Sequence, residues 1–348
     1  MLLILGGLLI FAAPRWSPLG AGLLATGSIV VPAMVGYLVF RSERWLFDAA
    51  TPALALVVLS GVLLVLTFRE ATRQKTLLER SVQASREQAA RMTGELEAAQ
   101  RIQTGMLPRA DLLRDDERIE LAAAMTPARE VGGDLYDFFR LDERRLFLLI
   151  GDVAGKGLSA SIFMAVSKAL YKSMALRAPD ADIGALMAAA NAEVSRDNPD
   201  MLFVTAFAAI LDLETGALAY CNAGHENPYL LSSEAGPLER IRDGDGPPLC
   251  VVDGFNYRGA CRQMRQRESL CCVTDGVTDA QNAAGVLYGS ARLDACLSRI
   301  DRERPSPRDV VDGVRADVAS FVAGAEIVDD LTVLVLRWNG PRTRPPAC

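Results

Sequence analysis

Val131-Gly-Gly-Asp-Leu-Tyr-Asp-Phe-Phe139, the charged turn Asp142-Glu-Arg-Arg145, Leu146-Phe-Leu-Leu-Ile150 and Gly151-Asp-Val-Ala-Gly-Lys-Gly157 follow one another in a single stretch of the chain. Two apolar, strand-like runs flanking a polar turn form the pattern of a β-hairpin. Asp134 and Asp152 sit at the glycine-flanked ends of these runs. Antiparallel pairing brings both carboxylates to one rim of a sheet. The glycines let the backbone turn sharply and leave room for a bulky ligand. Carboxylates gathered in this way repel one another, so a cation is expected among them. The stretch reads as half of a hard-metal site.

Two further acidic corners complete the pattern. In Cys272-Val-Thr-Asp-Gly-Val-Thr-Asp279, Asp275 follows an apolar run and precedes a glycine. In Val328-Asp-Asp-Leu-Thr-Val-Leu-Val335, Asp329 and Asp330 open another such run. One Asp-Gly corner alone reads as an ordinary turn. Four corners at strand edges, in a chain with few other metal ligands, favour a metal. The single histidine, His225, and seven cysteines without a Cys-x-x-Cys pair argue against zinc. A magnesium or manganese site built from Asp oxygens stays open. Gly151 to Lys156 is one residue short of the Walker spacing, and Gly157 replaces the hydroxyl residue that would hold magnesium. These glycines are read as a turn into the next helix.

With these residues in view, the region from about 96 to 338 resembles the SpoIIE/RsbU-type branch of the metal-dependent (PPM, protein phosphatase 2C-like) serine/threonine phosphatases. Six segments carry the resemblance in order: Glu97 to Pro108, Val131 to Asp137, Gly151 to Gly157, Thr215 to His225, Thr274 to Ala280 and Asp329 to Thr332. The resemblance implies a β-sandwich flanked by helix pairs, with two Mn²⁺ or Mg²⁺ ions at one end. By motif, Asp152 would bridge both ions and the Val153 carbonyl would add a ligand. Asp134 would help hold one ion, and Asp275 and Asp329 the other. Asp330 would support these ligands from behind. The implied reaction is attack of a two-metal-activated water on a phosphoserine or phosphothreonine. The implied substrate is a regulatory phosphoprotein such as a STAS-domain anti-sigma factor antagonist. Two readings stand for Arg129, a substrate-phosphate contact or a surface ion pair with Glu130. His225, from the Asn-Ala-Gly-His motif, is expected to hold a loop, with a general-acid role as the alternative. Glu226-Asn227-Pro228 departs from the two prolines that often follow this histidine in the family. The competing reading is a catalytically silent signalling scaffold of the same fold, which the presence of all four aspartates opposes.

The rest of the chain supplies context. A net charge of -6 over 348 residues argues against a nucleic-acid footprint. An odd number of cysteines suits a reducing compartment. Leu19 to Phe40 and Ala49 to Phe68 are each near the ~20 residues a membrane span needs. Whether residues 1–13 form a further span is open. Arg69, Arg73, Lys75 and Arg80 follow the last run, so the positive-inside bias places the downstream chain in the cytoplasm. Leu78, Val82, Ser85, Ala89, Met92, Leu96 and Ala99 recur at steps of four and three, the seam of a dimeric coiled coil; a solitary amphipathic helix is the alternative.

The expected organisation is a membrane segment of two to three hydrophobic helices (1–68), a coiled-coil signalling helix (69–107), a phosphatase domain (108–338) and a disordered tail (339–348). The protein is expected in the inner (cytoplasmic) membrane as a multi-pass homodimer. Helices are predicted over Ser159 to Arg177, with Ile162, Phe163, Val166 and Leu170 on one face, over Ile183 to Arg196, and near Ala291 to Ile300 and Arg308 to Val322. Strands are predicted over Phe203 to Leu211, Ala217 to Cys221, Tyr229 to Leu231, Leu270 to Thr274 and Leu331 to Trp338. Strand pairs interrupted by helix pairs give an α/β fold, an α-β-β-α layered sandwich.

Overall fold

A computed structural model describes residues 30–31, 33–42, 50–108, 113–196, 198–232, 238–303 and 305–342. The chain divides into two compact units, Met1–Met92 and Thr93–Cys348. In the first, residues 33–42 are helical. The expected span from Leu19 to Phe40 lies largely outside the described residues, as do residues 1–13 and 343–348 of the tail. Helix α1 (Ala50–Met106) is continuous over 57 residues and carries both the second apolar run and the expected seam. No proline or glycine pair interrupts it after its first turn, and Pro108 bars the residue before it from helical geometry. It is the one described helix long and apolar enough to cross a membrane by length and composition. Leu64, Leu78, Val82 and Met92 are all exposed along it.

The second unit is a sandwich of two sheets. In chain order the strands are β1 (Ile119–Thr126), β2 (Asp134–Arg140), β3 (Arg145–Val153), β4 (Val204–Asp212), β5 (Ala217–Ala223) and β6 (Tyr229–Leu231). They continue with β7 (Glu239–Arg240), β8 (Asp245–Gly246), β9 (Ala260–Gln263), β10 (Ser269–Val273) and β11 (Leu331–Trp338). One sheet runs β1-β11-β10-β6-β7; the other runs β2-β3-β4-β5-β8, with β9 also pairing to β5. Helices α2 (Leu158–Arg177) and α3 (Ile183–Arg196) cover the second sheet, and α5 (Gly289–Asp301) and α6 (Pro307–Val322) cover the first. A single turn, α4 (Asp275–Thr278), follows β10. The layered sandwich is therefore present. The sequence reading had passed over β1, whose alanines carry little β-pattern, and the short edge strands.

Alternation along the strands builds three cores. On β3, Leu148 and Ile150 face the other sheet, while Phe147 and Leu149 face α2 and α3. On β11, Leu334 and Leu336 face inward, while Val333 and Val335 meet α5 and α6. Because each sheet is covered on both faces, β3 and β11 are apolar almost throughout. Each fully buried side chain of this size contributes about 1.5–3 kcal/mol. The β2–β3 turn is fixed by Asp142, whose Oδ1 accepts from the backbone N–H of Arg144 (2.8 Å) and of Arg145 (2.7 Å). Helix α6 opens with a reciprocal Ser306–Asp309 capping box and a proline in its first turn.

The face of α2 differs from expectation. Ile162 and Val166 are exposed, and the buried face carries Met164, Lys168 and Tyr171. Lys168 Nζ donates to Asp137 Oδ2 on β2 at 2.7 Å, with both side chains nearly inaccessible. Lys172 stands 3.7 Å from the same oxygen and 4.8 Å from the Phe139 ring centroid. The pair pins α2 onto the strand that begins with Asp134. A buried ion pair matters chiefly through what remains when one partner goes. Lys168→Met is expected to lower the unfolding free energy by about 3 kcal/mol, since Asp137 keeps only the Phe138 backbone N–H and the more distant Lys172. The Lys168→Met/Asp137→Leu double variant should lose much less, as read from urea midpoints.

Candidate metal and phosphate site

The rim of the sandwich gathers the acidic corners. Asp134 begins β2 and lies directly opposite Asp152 on β3, as the hairpin reading required. Asp134 is buried, and its Oδ2 accepts from the hydroxyls of Thr274 (2.8 Å) and Thr332 (2.5 Å). Thr274 directly follows β10 and Thr332 lies on β11, so this carboxylate ties one sheet to the other. The backbone N–H of Thr332 in turn donates to Thr274 Oγ1 at 3.1 Å.

Asp330 does a related task from the other sheet. Its Oδ2 accepts from the backbone N–H of Gly133 at 2.6 Å and its Oδ1 from that of Ala128 at 2.8 Å. It therefore shapes the loop leading into β2. The approach is so close that a β-carbon on Gly132 would lie 2.0 Å from Asp330 Oδ2. A β-carbon on Gly276 would lie 1.9 Å from the Asp330 carbonyl oxygen. Only glycine fits at either position. The carbonyl of Val153 would stand 2.8 Å from a β-carbon on Gly133, so it too faces the glycine loop.

Burial, then the Asp152 charge, holds the Asp134 carboxyl well above the usual range. Burial pushes Asp152 up to about 7, with repulsion from Asp275, Asp329 and Asp330 adding to it. Asp275 is raised by burial and then by Asp329. The acids named from the sequence thus share one electrostatic neighbourhood. Among the described residues, no three Asp, Glu, His or Cys side chains already stand in a ligating array. A protein cation occupies part of the space: Lys156 Nζ lies 2.9 Å from Asp329 Oδ2 and donates to the Val328 carbonyl at 2.7 Å. An all-oxygen donor set that already draws in an ammonium fits hard divalent ions such as Mg²⁺ or Mn²⁺.

Arg129 and Lys156 line the same small hollow as Gly132, Gly133 and Asp329. Arg129 is exposed there. His225 is buried, and its Nδ1 pairs with Thr205 Oγ1 at 3.0 Å; Thr205 stands opposite Asp152 on β4. Its backbone N–H donates to Asn222 Oδ1 (2.7 Å), and Asn222 Nδ2 donates to its carbonyl (3.0 Å). Burial pushes its imidazole down to about 4, so it is neutral near pH 7. A neutral ring tied to Thr205 and Asn222 holds the loop after β5.

Sequence reading missed four contributors. Thr274 and Thr332 lie inside the quoted motifs, but a threonine beside an aspartate in a strand signals nothing by itself. Lys156 was read only as part of a turn. Gln103, near the end of α1, is buried and grips Gly132 twice: Nε2 donates to its carbonyl at 2.6 Å, and its N–H donates to Oε1 at 3.1 Å. No spacing rule marks a glutamine as the partner of a glycine so far along the chain.

Residues 142–339, more than half of the chain, match the family model for Stage II sporulation protein E (SpoIIE). The chain is 27% identical over 270 residues to Protein IcfG of Synechocystis sp., covering 70% of this chain and 42% of that protein. It is 24% identical over 247 residues to the phosphoserine phosphatase RsbU of Bacillus subtilis, covering 70% of each. In three dimensions it is similar to the SiaA-PP2C domain of Pseudomonas aeruginosa. That match has a TM-score of 0.63 at 19% identity, over 72% of this chain and 98% of that domain.

The raised carboxyls give a signed pH dependence for the metal-free protein. Between the ordinary Asp value of 3.8 and about 7, folded Asp152 binds a proton that its unfolded form releases. Stability from this group therefore falls as pH rises through that window. Asp152→Asn removes the effect. The urea midpoint of Asp152→Asn relative to wild type, measured in EDTA, is expected to climb from pH 4 to pH 8. A constant difference would contradict the placement of Asp152 among the other acids.

Proposed function

We propose, since the chain belongs to the stage II sporulation protein E (SpoIIE) family of serine phosphatases, that it hydrolyses phosphoserine or phosphothreonine on a regulatory phosphoprotein. The observation that carries this is the convergence of Asp134, Asp152, Asp275 and Asp329 on one rim, with a lysine ammonium already drawn to Asp329. These four carboxylates and the Val153 carbonyl would hold two divalent ions, Mn²⁺ or Mg²⁺. When bound, the ions supply an acidified water as nucleophile and positive charge to offset the transition state.

The chain's own groups do the rest. Asp134 is kept in place by its two threonine hydroxyls, so its free oxygen has a fixed direction. Asp330 spends its oxygens on backbone N–H groups and therefore supports the ligand loop. Arg129 and Lys156 flank the hollow at whose mouth a phosphate would sit with one oxygen reaching in; a guanidinium and an ammonium both suit phosphate oxygens. Lys156 would exchange Asp329 for the phosphate as the centre loads. His225, neutral and tied, keeps Thr205 and the Asp152 backbone in register.

We further infer that α1 anchors the chain in the inner (cytoplasmic) membrane. Its exposed apolar run before Phe68, followed by Arg69, Arg73, Lys75 and Arg80, supports this orientation. Its exposed seam at Leu78, Val82 and Met92 suits a parallel homodimer. A STAS-domain anti-sigma antagonist is the substrate class we favour, by likeness to the family alone.

The test is phosphate release from a serine-phosphorylated STAS-domain protein and from p-nitrophenyl phosphate, by the full chain in detergent with Mn²⁺. Activity should vanish in EDTA and return with Mn²⁺. Asp152→Asn should lower kcat by more than about 100-fold, beyond the usual cost of disturbing a group behind the ligands. Unchanged turnover in Asp152→Asn would overturn the assignment.

A further inference from the structure

Two hollows meet at Asp329, and they differ greatly in size. The one between Arg129 and Lys156 has a volume of about 10 Å³, room for one water-sized group. It can recognise a phosphate oxygen and nothing beyond. The other has about 300 Å³ and opens between α6, α4 and the segment leading into β11. That is the lower end of the size range of small-molecule sites, enough for a large side chain. Its walls are mostly apolar. Val318 and Val322 of α6 form its floor, and Ile327 and Val328 stand exposed at its mouth. Gly276, next to Asp275, borders it on the remaining side. One proposed metal ligand, Asp329, therefore lines it, and a second, Asp275, is the chain neighbour of a lining residue.

Arg315 closes one end. Its Nη2 reaches the Thr126 hydroxyl at 3.4 Å and, among the described residues, it pairs with no carboxylate. An exposed cation beside an apolar hollow, on the threshold of the reacting centre, has a definite complement. We propose that this cleft seats an apolar side chain close to the phosphoserine of the substrate protein, with Arg315 pairing to a carboxylate in the same substrate segment. The inference rests on the phosphatase reading and adds what that reading lacks, a source of sequence selectivity.

The geometry favours a substrate segment over other occupants. A phosphoserine delivered to Asp152 and Asp329 must bring its flanking residues across the adjoining surface, and the cleft begins at Asp329 itself. A single methylene more or less in such a hollow is worth roughly 10- to 200-fold in selectivity, so a large apolar side chain in place of a polar one is worth at least about tenfold. The cation adds direction along the peptide, because a carboxylate is attracted at one end only.

The experiment uses the full chain with Mn²⁺ and serine-phosphorylated peptides in which single positions flanking the phosphoserine vary among Leu, Ser, Glu and Lys. p-Nitrophenyl phosphate, which has no flanking residues, is the reference substrate. Wild type should prefer Leu over Ser at one position by at least about tenfold in kcat/KM. Ala319 is exposed and lines the cleft, so Ala319→Trp fills it. That variant should lower the ratio of Leu-peptide to p-nitrophenyl phosphate kcat/KM at least tenfold, through KM. Arg315→Glu, a surface change, should turn a preference for Glu into one for Lys. An unchanged peptide ratio in Ala319→Trp, or unchanged charge preference in Arg315→Glu, would overturn the proposal while leaving the phosphatase reading intact. Absence of wild-type turnover on p-nitrophenyl phosphate would remove both.

Discussion

The carboxylate of Asp134 is the constraint around which the phosphatase unit is arranged. It is buried, it faces another acid across a hairpin, and it belongs to one sheet while its hydroxyl partners belong to the other. A buried carboxylate is costly unless hydrogen bonds or a cation compensate it. The two threonines supply the hydrogen bonds, which fixes the ends of β10 and β11 against the start of β2. Asp330 repeats the device in the opposite sense, reaching from the start of β11 to the backbone ahead of β2. The sandwich is thus stitched at the rim by the groups that repulsion would otherwise drive apart.

That arrangement explains why the rim is poised for hard cations. The remaining acids gain no comparable set of hydroxyl partners among the described residues, and burial, with their mutual repulsion adding to it, raises the proton affinity of Asp152 and Asp275. Protons, the Lys156 ammonium and divalent ions are alternative answers to one excess of negative charge. Lys156 sits on the turn that also launches α2, and the buried Lys168–Asp137 pair holds that helix to β2. Gln103 adds a third tie, from α1 to Gly132 in the loop that Asp330 shapes. The position of the ligand loop is therefore set jointly by a helix end, a strand end and a turn.

Much of this was legible residue by residue. The hairpin register of Asp134 and Asp152 followed from a two-residue period and a polar turn. The helices α3 and α6 and the strand β11 lie where the sequence placed them, within a residue at each end. The faces of α2 did not, because an apolar-inside rule cannot foresee a buried lysine balanced by an aspartate on a neighbouring strand. Strand β1 escaped because alanines favour neither pattern, and it exists through pairing to β11 along its length.

By itself the sequence determined the chemistry available: carboxylate oxygens at four glycine- or turn-flanked corners, scarcely any nitrogen or sulfur in ligand spacing, and cations beside them. It also determined the layering, since alternation and periodicity are local properties of a chain. Only the tertiary structure decided which acids face the rim and which become supports, because that depends on partners remote in sequence. Asp329 and Asp330 are adjacent and chemically identical, yet one meets an ammonium at the rim and the other is committed to backbone N–H groups. The difference is one of direction, since successive residues entering a strand point to opposite sides.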